Sequence, residues 1–305
     1  MKISYELPKM VLTNDELVQI YPDWTAEKIL AKTGIASRHV AVADESALNL
    51  AEKAAKRLFS DYGVSPETVD FLLLCTQSAE YRLPSSACLL QSRLGIPTNA
   101  GAIAFDHGCS GFIYGLSLAK GLLAGGMAKK VLLVTAETYT KYIAVEDKST
   151  RTIFGDGAAA TLLCEESVAK IGAFSFGTDG TGAEKLIVRD GKLFMDGPEI
   201  FNFTLDVVPK TLEDVLSKNQ LTRDDIDLYV FHQANKFMLD TIRKVNGLPR
   251  DKFYVNLEMT GNTVSSTIPI ALKQIEAAGR LNAGMKVVLM GFGVGLSWGA
   301  TIITI

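Results

Sequence analysis

The chain repeats itself once, and a duplication constrains a fold more than any single motif, because each copy must build the same unit. In the first half, Pro66-Glu-Thr-Val-Asp-Phe-Leu-Leu-Leu-Cys-Thr-Gln-Ser78 precedes a helical segment that runs into Arg93-Leu-Gly-Ile-Pro97. In the second, Arg223-Asp-Asp-Ile-Asp-Leu-Tyr-Val-Phe-His-Gln-Ala234 precedes one that runs into Val245-Asn-Gly-Leu-Pro249. Gly126-Met-Ala-Lys-Lys-Val-Leu-Leu-Val134 likewise matches Ala283-Gly-Met-Lys-Val-Val-Leu-Met-Gly291, so the halves are offset by 156 to 157 residues. Short apolar runs alternate with amphipathic segments, the pattern of an α/β protein. Strands are expected at 69–75, 131–135, 158–164, 228–231, 287–290 and 300–305. Helices are expected at 46–60, 85–94, 111–124, 203–217, 236–245 and 270–278. The expected architecture is two similar α/β halves, 1–165 and 166–305, about a pseudo-twofold axis with a shared site at their junction.

Composition narrows the function classes. With 48% hydrophobic and 21% charged residues, 305 residues can bury a large core. A formal charge of −3 gives no basic field to hold nucleic acid or anionic lipid. Met1 to Met10 lacks the apolar stretch of a signal peptide, and no run approaches the roughly 18 apolar residues of a membrane span, so a cytoplasmic protein is expected. Cys75, Cys88, Cys109 and Cys164 form no C-x-x-C pair, and His39, His107 and His232 are scattered. Neither a disulfide framework nor a metal site is implied, and any cysteine chemistry involves a single thiol.

Cys109 lies in Phe105-Asp-His-Gly-Cys-Ser-Gly-Phe112, just before a helix with small residues at Gly111, Gly115, Ser117, Ala119 and Gly121. A thiol at a helix N-terminus is expected to have a lowered pKa, which makes Cys109 a candidate nucleophile. Cys75, Cys88 and Cys164 sit inside apolar runs or helices and read as buried structural thiols. His232 follows a repeated strand, at the place of Gln77 in the first half, where sites in α/β sheets concentrate. Taken alone, a histidine is more often a hydrogen-bonded core residue than a catalyst. Asn262 stands in Gly261-Asn-Thr, either a plain turn or the entry to the helix equivalent to that of Cys109, since the offset places Cys109 opposite Ser265. Gly291-Phe-Gly-Val-Gly295 fails the G-x-G-x-x-G pattern but can aim backbone N–H groups at an oxyanion. Phe154-Gly-Asp-Gly-Ala158 lacks a P-loop lysine and reads as a tight structural turn. His107, close to Cys109, is a possible base whose direction the sequence does not give.

Together, Gly-Cys-Ser-Gly-Phe112, Phe154-Gly-Asp-Gly-Ala158, Met195-Asp-Gly-Pro-Glu-Ile-Phe201, His232-Gln-Ala-Asn235, Gly261-Asn-Thr and Gly291-Phe-Gly-Val-Gly-Leu-Ser-Trp-Gly299 resemble beta-ketoacyl-[acyl-carrier-protein] synthase III, in order and spacing, from about Leu12 to the C-terminus. The resemblance implies a thiolase-like fold of five layers (αβαβα), a homodimer, and catalytic Cys109, His232 and Asn262. It implies an oxyanion hole from the backbone N–H groups of Cys109 and Val294, the latter where the family usually has glycine, and no cofactor beyond coenzyme A or phosphopantetheine thioesters. The acyl pocket maps to Met195, Gly197, Phe201 and Leu83, the last supplied by the partner chain and suggesting a primer larger than acetyl. The family's adenine-stacking tryptophan maps to Lys28 and its phosphate-binding arginines to Lys32 and Lys148, with Asn235 beside the pantetheine; the loss of a stacking surface suggests weak coenzyme A binding or a carrier-borne donor. The carrier-docking arginine maps to Phe237, with Lys236, Arg243 and Lys244 as a candidate replacement basic face for acyl carrier protein. Elongating ketosynthases have histidine where Asn262 stands, and thiolases carry a second cysteine in the terminal glycine loop. The implied activity is decarboxylative condensation of an acyl primer with malonyl-acyl carrier protein. The rivals are an acyltransferase passing the Cys109 acyl group to an oxygen or nitrogen nucleophile, and a non-enzymatic carrier-binding partner.

Overall fold

A computed structural model describes residues 1–305. Its thirteen strands are, in chain order, β1 (Lys2–Glu6), β2 (Val11–Thr13), β3 (Ser37–His39), β4 (Phe71–Cys75), β5 (Gly101–Phe105), β6 (Lys130–Glu137), β7 (Gly157–Cys164), β8 (Ile171–Thr178), β9 (Leu186–Arg189), β10 (Lys192–Met195), β11 (Leu228–Phe231), β12 (Lys286–Gly293) and β13 (Ser297–Thr304). They form one sheet in the order β1-β7-β6-β4-β5, a second in the order β11-β12-β13-β8, and two small two-stranded ribbons. β6 and β12 sit inside their sheets and are apolar on both faces, as strands covered by helices on each side must be.

The sheets are near-copies. β4 runs parallel to β6 with Phe71 opposite Val131, and β11 runs parallel to β12 with Leu228 opposite Val287. The fifth strand of the first sheet, β5, has no strand counterpart; only an isolated bridge, Tyr229 to Phe253, stands in its place. Register also corrects one expectation: Phe71 and Leu228 hold equivalent places opposite Val131 and Val287, so the offset along β4 and β11 is 157 and Cys75, not Gln77, is the first-half counterpart of His232.

Two helices lie between the sheets, Gly111–Ala124 and Thr267–Ala277, and each touches both. Phe112, Ile113, Leu116, Ile268, Leu272 and Ile275 build this inter-sheet core. Helices Ala47–Tyr62 and Ser86–Leu94 cover the outer face of the first sheet, and Gly197–Lys218 and Lys236–Val245 the outer region of the second, which completes five layers. The small residues of the first buried helix are needed at specific points: a Cβ at Gly111 would lie 2.3 Å from Cys75 Sγ, and one at Gly115 2.5 Å from a Leu133 methyl, whereas Gly121 faces open space. No helix is long and apolar enough to cross a membrane.

Candidate active site

The loop before each buried helix points across the junction into the other half. Cys109, just ahead of the helix Gly111–Ala124, therefore meets the end of β12: a Cβ at Gly293 would lie 2.9 Å from Cys109 Cβ and 3.0 Å from its Sγ, and one at Gly291 2.6 Å from Cys109 O. Ser110 Oγ and Ser297 Oγ, 2.7 Å apart, fasten the two segments. A cavity of about 100 Å³ opens beside the thiol, lined by Cys109, Ile153, Phe154, Leu186, Met195, Gly197, Ile200, His232, Ala234, Asn235, Met238, Asn262, Phe292 and Gly293. Cys109, His232 and Asn262 are thus brought together, with Met195, Gly197 and Asn235. Cys75 Sγ donates to His107 O.

His232 leaves β11 with its backbone N–H on Met290 O, 2.8 Å away. Its Nδ1 lies 2.8 Å from Thr267 Oγ1, at the start of the second buried helix, and its Nε2 lies 3.5 Å from Asn262 Nδ2. Asn262 is oriented through its other end, since Oδ1 accepts from Val264 N–H at 2.8 Å. Its backbone is tied to the first half by Asn262 N–H to Ile153 O (2.9 Å) and Gly155 N–H to Asn262 O (3.0 Å). The turn at Phe154 to Ala158 thus holds Asn262 in place. A Cβ at Gly155 would meet Thr260 O at 2.5 Å, and Gly261 adopts φ +66. Val264, buried and β-branched, has φ 55, a conformation that stores of the order of 1–3 kcal/mol and persists where surroundings impose it.

Burial overrides the helix dipole at Cys109. The thiol's pKa is raised, first by desolvation and then by the Glu137 carboxylate, so the resting group is a thiol and the expected lowering does not occur. Desolvation also depresses His232 to about 3, leaving a neutral imidazole. The N–H groups of Cys109 and Val294 donate to no backbone carbonyl. Val294 itself faces a second cavity of about 380 Å³, lined with Gln77, Tyr139, Tyr142, Leu186 and Leu193; Leu186 borders both cavities.

Other sequence expectations separate from this cluster. Phe201 lies outside the cavity and stacks on Phe237, ring centroids 5.4 Å apart, with Phe237 exposed. Leu83 is 85% exposed and touches neither cavity within one chain. Cys88 is exposed and Cys164 partly so, correcting the reading of both as buried; the apolar face of the helix carrying Cys88 is formed by Ala87, Leu90 and Leu94 instead. His107 packs against Tyr114, centroids 4.3 Å apart, and does not line the cavity. Lys236 pairs with Asp240 at 2.6 Å and Arg243 donates to Leu248 O at 3.1 Å, both along an open polar cleft of about 420 Å³, while Lys244 is exposed beside them.

Trp24 is the residue the motifs missed. The ammonium groups of Lys28, Lys32 and Lys148 lie 5.3, 5.0 and 5.6 Å from its ring centroid. Trp24 stands just ahead of Thr25, the extended N-cap of the helix Ala26–Thr33 that carries Lys28 and Lys32, so motif spacing gave no signal for it. An indole therefore stands among the three lysines, ahead of the helix N-cap, and offers a flat aromatic surface ringed by cations.

The family model of 3-oxoacyl-[acyl-carrier-protein (ACP)] synthase III matches residues 105–180, and the model of that family's C-terminal part matches residues 216–305. The chain is 36% identical over 321 residues to the beta-ketoacyl-[acyl-carrier-protein] synthase III of Lactococcus lactis subsp. lactis (strain IL1403), covering 100% of this chain and 98% of the relative. A crystal structure of a 3-oxoacyl-(acyl-carrier-protein) synthase III superposes with TM-score 0.97 at 49% identity, covering 99% of this chain and 98% of that one. The Thermus thermophilus beta-ketoacyl-[acyl carrier protein] synthase III superposes with TM-score 0.93 at 35% identity, covering 99% and 98%.

Proposed function

The chain belongs to the beta-ketoacyl-[acyl-carrier-protein] synthase III family, with its thiolase-like fold, and is an acyl-transferring condensing enzyme of fatty-acid biosynthesis; from that premise we propose that Cys109, His232 and Asn262 carry the reaction in the roles that follow. The observation that supports this most is their convergence on one cavity, at whose floor Gly293 leaves room for the Cys109 sulfur.

In the first half-reaction the Cys109 sulfur attacks an acyl thioester, the carrier thiol leaves with the proton, and the free N–H groups of Cys109 and Val294 receive the tetrahedral oxyanion. In the second, a malonyl thioester enters. The single hydroxyl proton of Thr267 faces two acceptors, His232 Nδ1 at 2.8 Å and Val264 O at 3.1 Å; given to Nδ1, it leaves the ring proton on Nε2, the tautomer this step requires. Nε2–H and the Asn262 amide then stand side by side as two donors, consistent with their 3.5 Å separation, and aim at the thioester carbonyl whose enolate forms as carbon dioxide departs. The enolate carbon attacks the acyl-cysteine carbonyl and expels the Cys109 thiolate, which takes up a proton from solvent to return to the resting thiol. No step calls for a metal or an organic cofactor.

Trp24 with Lys28, Lys32 and Lys148 receives the adenine and phosphates of a coenzyme A donor, and Asn235 lies beside the pantetheine. Acyl carrier protein docks near Phe237 and Lys244, with Lys236 and Arg243 at the rim of the polar cleft. The assembly is a cytoplasmic homodimer. β5 supports this, being a sheet edge with Ile103 50% exposed, as does the bare Leu83; Leu83 of the partner subunit would close the acyl pocket and, lacking a ring, admit a primer longer than acetyl.

Intact-protein mass spectrometry with acyl-CoA and acyl-carrier donors, then malonyl-acyl carrier protein, tests the reading. A Cys109 adduct discharged with release of carbon dioxide and formation of a β-ketoacyl product is expected. An adduct that malonyl-carrier leaves untouched would point to acyl transfer onto oxygen or nitrogen, and no adduct from any donor would overturn the role of Cys109.

A further inference from the structure

The pseudo-twofold axis gives the active side a rotated counterpart that the reaction does not use. Offset by 156, Cys109 corresponds to Ser265 and Gly293 to Glu137; through strand register His232 corresponds to Cys75. The contacts are mirrored too. As Gly293 lies against the Cys109 sulfur, Glu137 at the end of β6 lies against Ser265, whose Oγ is 3.3 Å from Oε1. As His232 touches the first residue of one buried helix, Thr267, so Cys75 lies against the first residue of the other, Gly111. Where the active side has glycine and an open cavity, the rotated counterpart has a fully buried carboxylate.

Glu137 also reaches back to the active side. It accepts from Gln77 N–H (3.1 Å to each oxygen) and from Ser78 Oγ (2.8 Å). Gln77 in turn bonds the Tyr139 hydroxyl and lies against Gly108, where a Cβ would be 2.9 Å from its Oε1; Gly108 immediately precedes Cys109. No lysine or arginine pairs with Glu137. The titratable groups around it are Cys75, Cys109, Tyr139, Tyr142 and Asp156, all acids, so its charge is uncompensated by any cation.

We propose that Glu137 is a positioning residue for Cys109: it fills the position equivalent to Gly293, holds the Gln77 turn against the nucleophile loop, and restrains ionisation of the Cys109 thiol through the field of its buried carboxylate. Burial raises Glu137 to about 8, so its charge changes within the working range of such an enzyme and Cys109 responds to it. The inference rests on Cys109 being the nucleophile, but its test does not depend on that.

The experiment measures alkylation of Cys109 by iodoacetamide, read by peptide mass spectrometry between pH 6 and 10, which reports thiolate formation whether or not the thiol carries acyl groups. Glu137→Gln removes the charge and keeps the shape; above about pH 8, where the wild-type carboxylate is ionised, its alkylation is expected to be roughly tenfold faster than wild type, and at pH 6, where that carboxylate is neutral, the two should react alike. Glu137→Asp keeps an ionisable carboxylate and should change the rate far less. A folded Glu137→Gln with wild-type alkylation rates at every pH, or an equal acceleration in both variants, would overturn the proposal. Should Glu137→Gln not fold, Ser265→Ala removes one donor to the carboxylate, favours its neutral form, and should accelerate alkylation above about pH 8 by a smaller factor; no acceleration there counts against the proposal as well.

Discussion

Gly293→Ala puts a single methyl group against the nucleophile and is the sharpest probe of the site. The backbone at Gly293 is an ordinary strand conformation with no positive φ, so alanine brings no torsional penalty. The new Cβ would sit 2.9 Å from Cys109 Cβ and 3.0 Å from Sγ. Optimal contacts between carbon atoms lie near 3.5–4.0 Å, so the nucleophile must retreat by roughly 0.5–1 Å. Overpacking of this size costs about 1–3 kcal/mol, which for a chain of this length lowers Tm by about 2–6 °C and leaves a folded protein. The chemical loss is larger, because a misplacement of about 1 Å at a reacting atom costs roughly 10²-fold in rate. The assay is the single-turnover rate of acyl-Cys109 formation, followed by mass spectrometry beside a thermal melt. A folded Gly293→Ala enzyme that acylates within about threefold of wild type would refute the argument that Gly293 is there to make room for the sulfur.

Three further outcomes follow from the same geometry. Because burial depresses His232 to about 3, below its unfolded value of about 6.5, the unfolded chain gains a proton that the native state refuses as pH falls; the stability advantage of wild type over His232→Gln should be constant above about pH 6.5 and shrink below it by up to about 1.4 kcal/mol per pH unit, measured by paired denaturant titrations. Thr267→Val removes the partner of His232 Nδ1 and should lower the rate of malonyl decarboxylation about tenfold while sparing Cys109 acylation, which separates the two half-reactions. Trp24→Ala should raise KM for an acyl-CoA donor about tenfold and leave the same acyl group on N-acetylcysteamine unaffected in steady-state kinetics; equal effects on both donors would remove Trp24 from the adenine site.

What the sequence disclosed and what it withheld divide along physical lines. β4, β6, β7, β11 and β12 were legible because they are apolar runs bounded by polar turns, and the helices Gly111–Ala124 and Lys236–Val245 were legible to the residue. β5 and β8 were missed: Gly-Ala-Ile-Ala-Phe and Ile-Gly-Ala-Phe-Ser-Phe-Gly-Thr carry small residues and weak alternation, and only pairing to neighbours makes them strands. Cys109, His232, Asn262, Met195, Gly197 and Asn235 were found through motif order, whereas the apolar lining at Ile153, Leu186, Ile200 and Met238 was not; the titration of Cys109 was misjudged, since a helix N-terminus is visible in sequence and desolvation is not. Trp24 escaped because motif alignment compares positions, whereas a ring ahead of the helix N-cap can still reach the lysines that follow it.

The crossed construction also bears on the order in which the molecule matures. The Ser110–Ser297 fastening spans 187 residues, and the thiol's room depends on Gly293 at the far end of the chain. Each sheet can form from nearer partners within its own half, but closing so long a loop carries a large entropic cost and is slow. During refolding, secondary structure should return before Cys109 can accept an acyl group. Competence for chemistry is then the last event of folding, and the acylated fraction of a preparation is a direct count of the molecules that have finished.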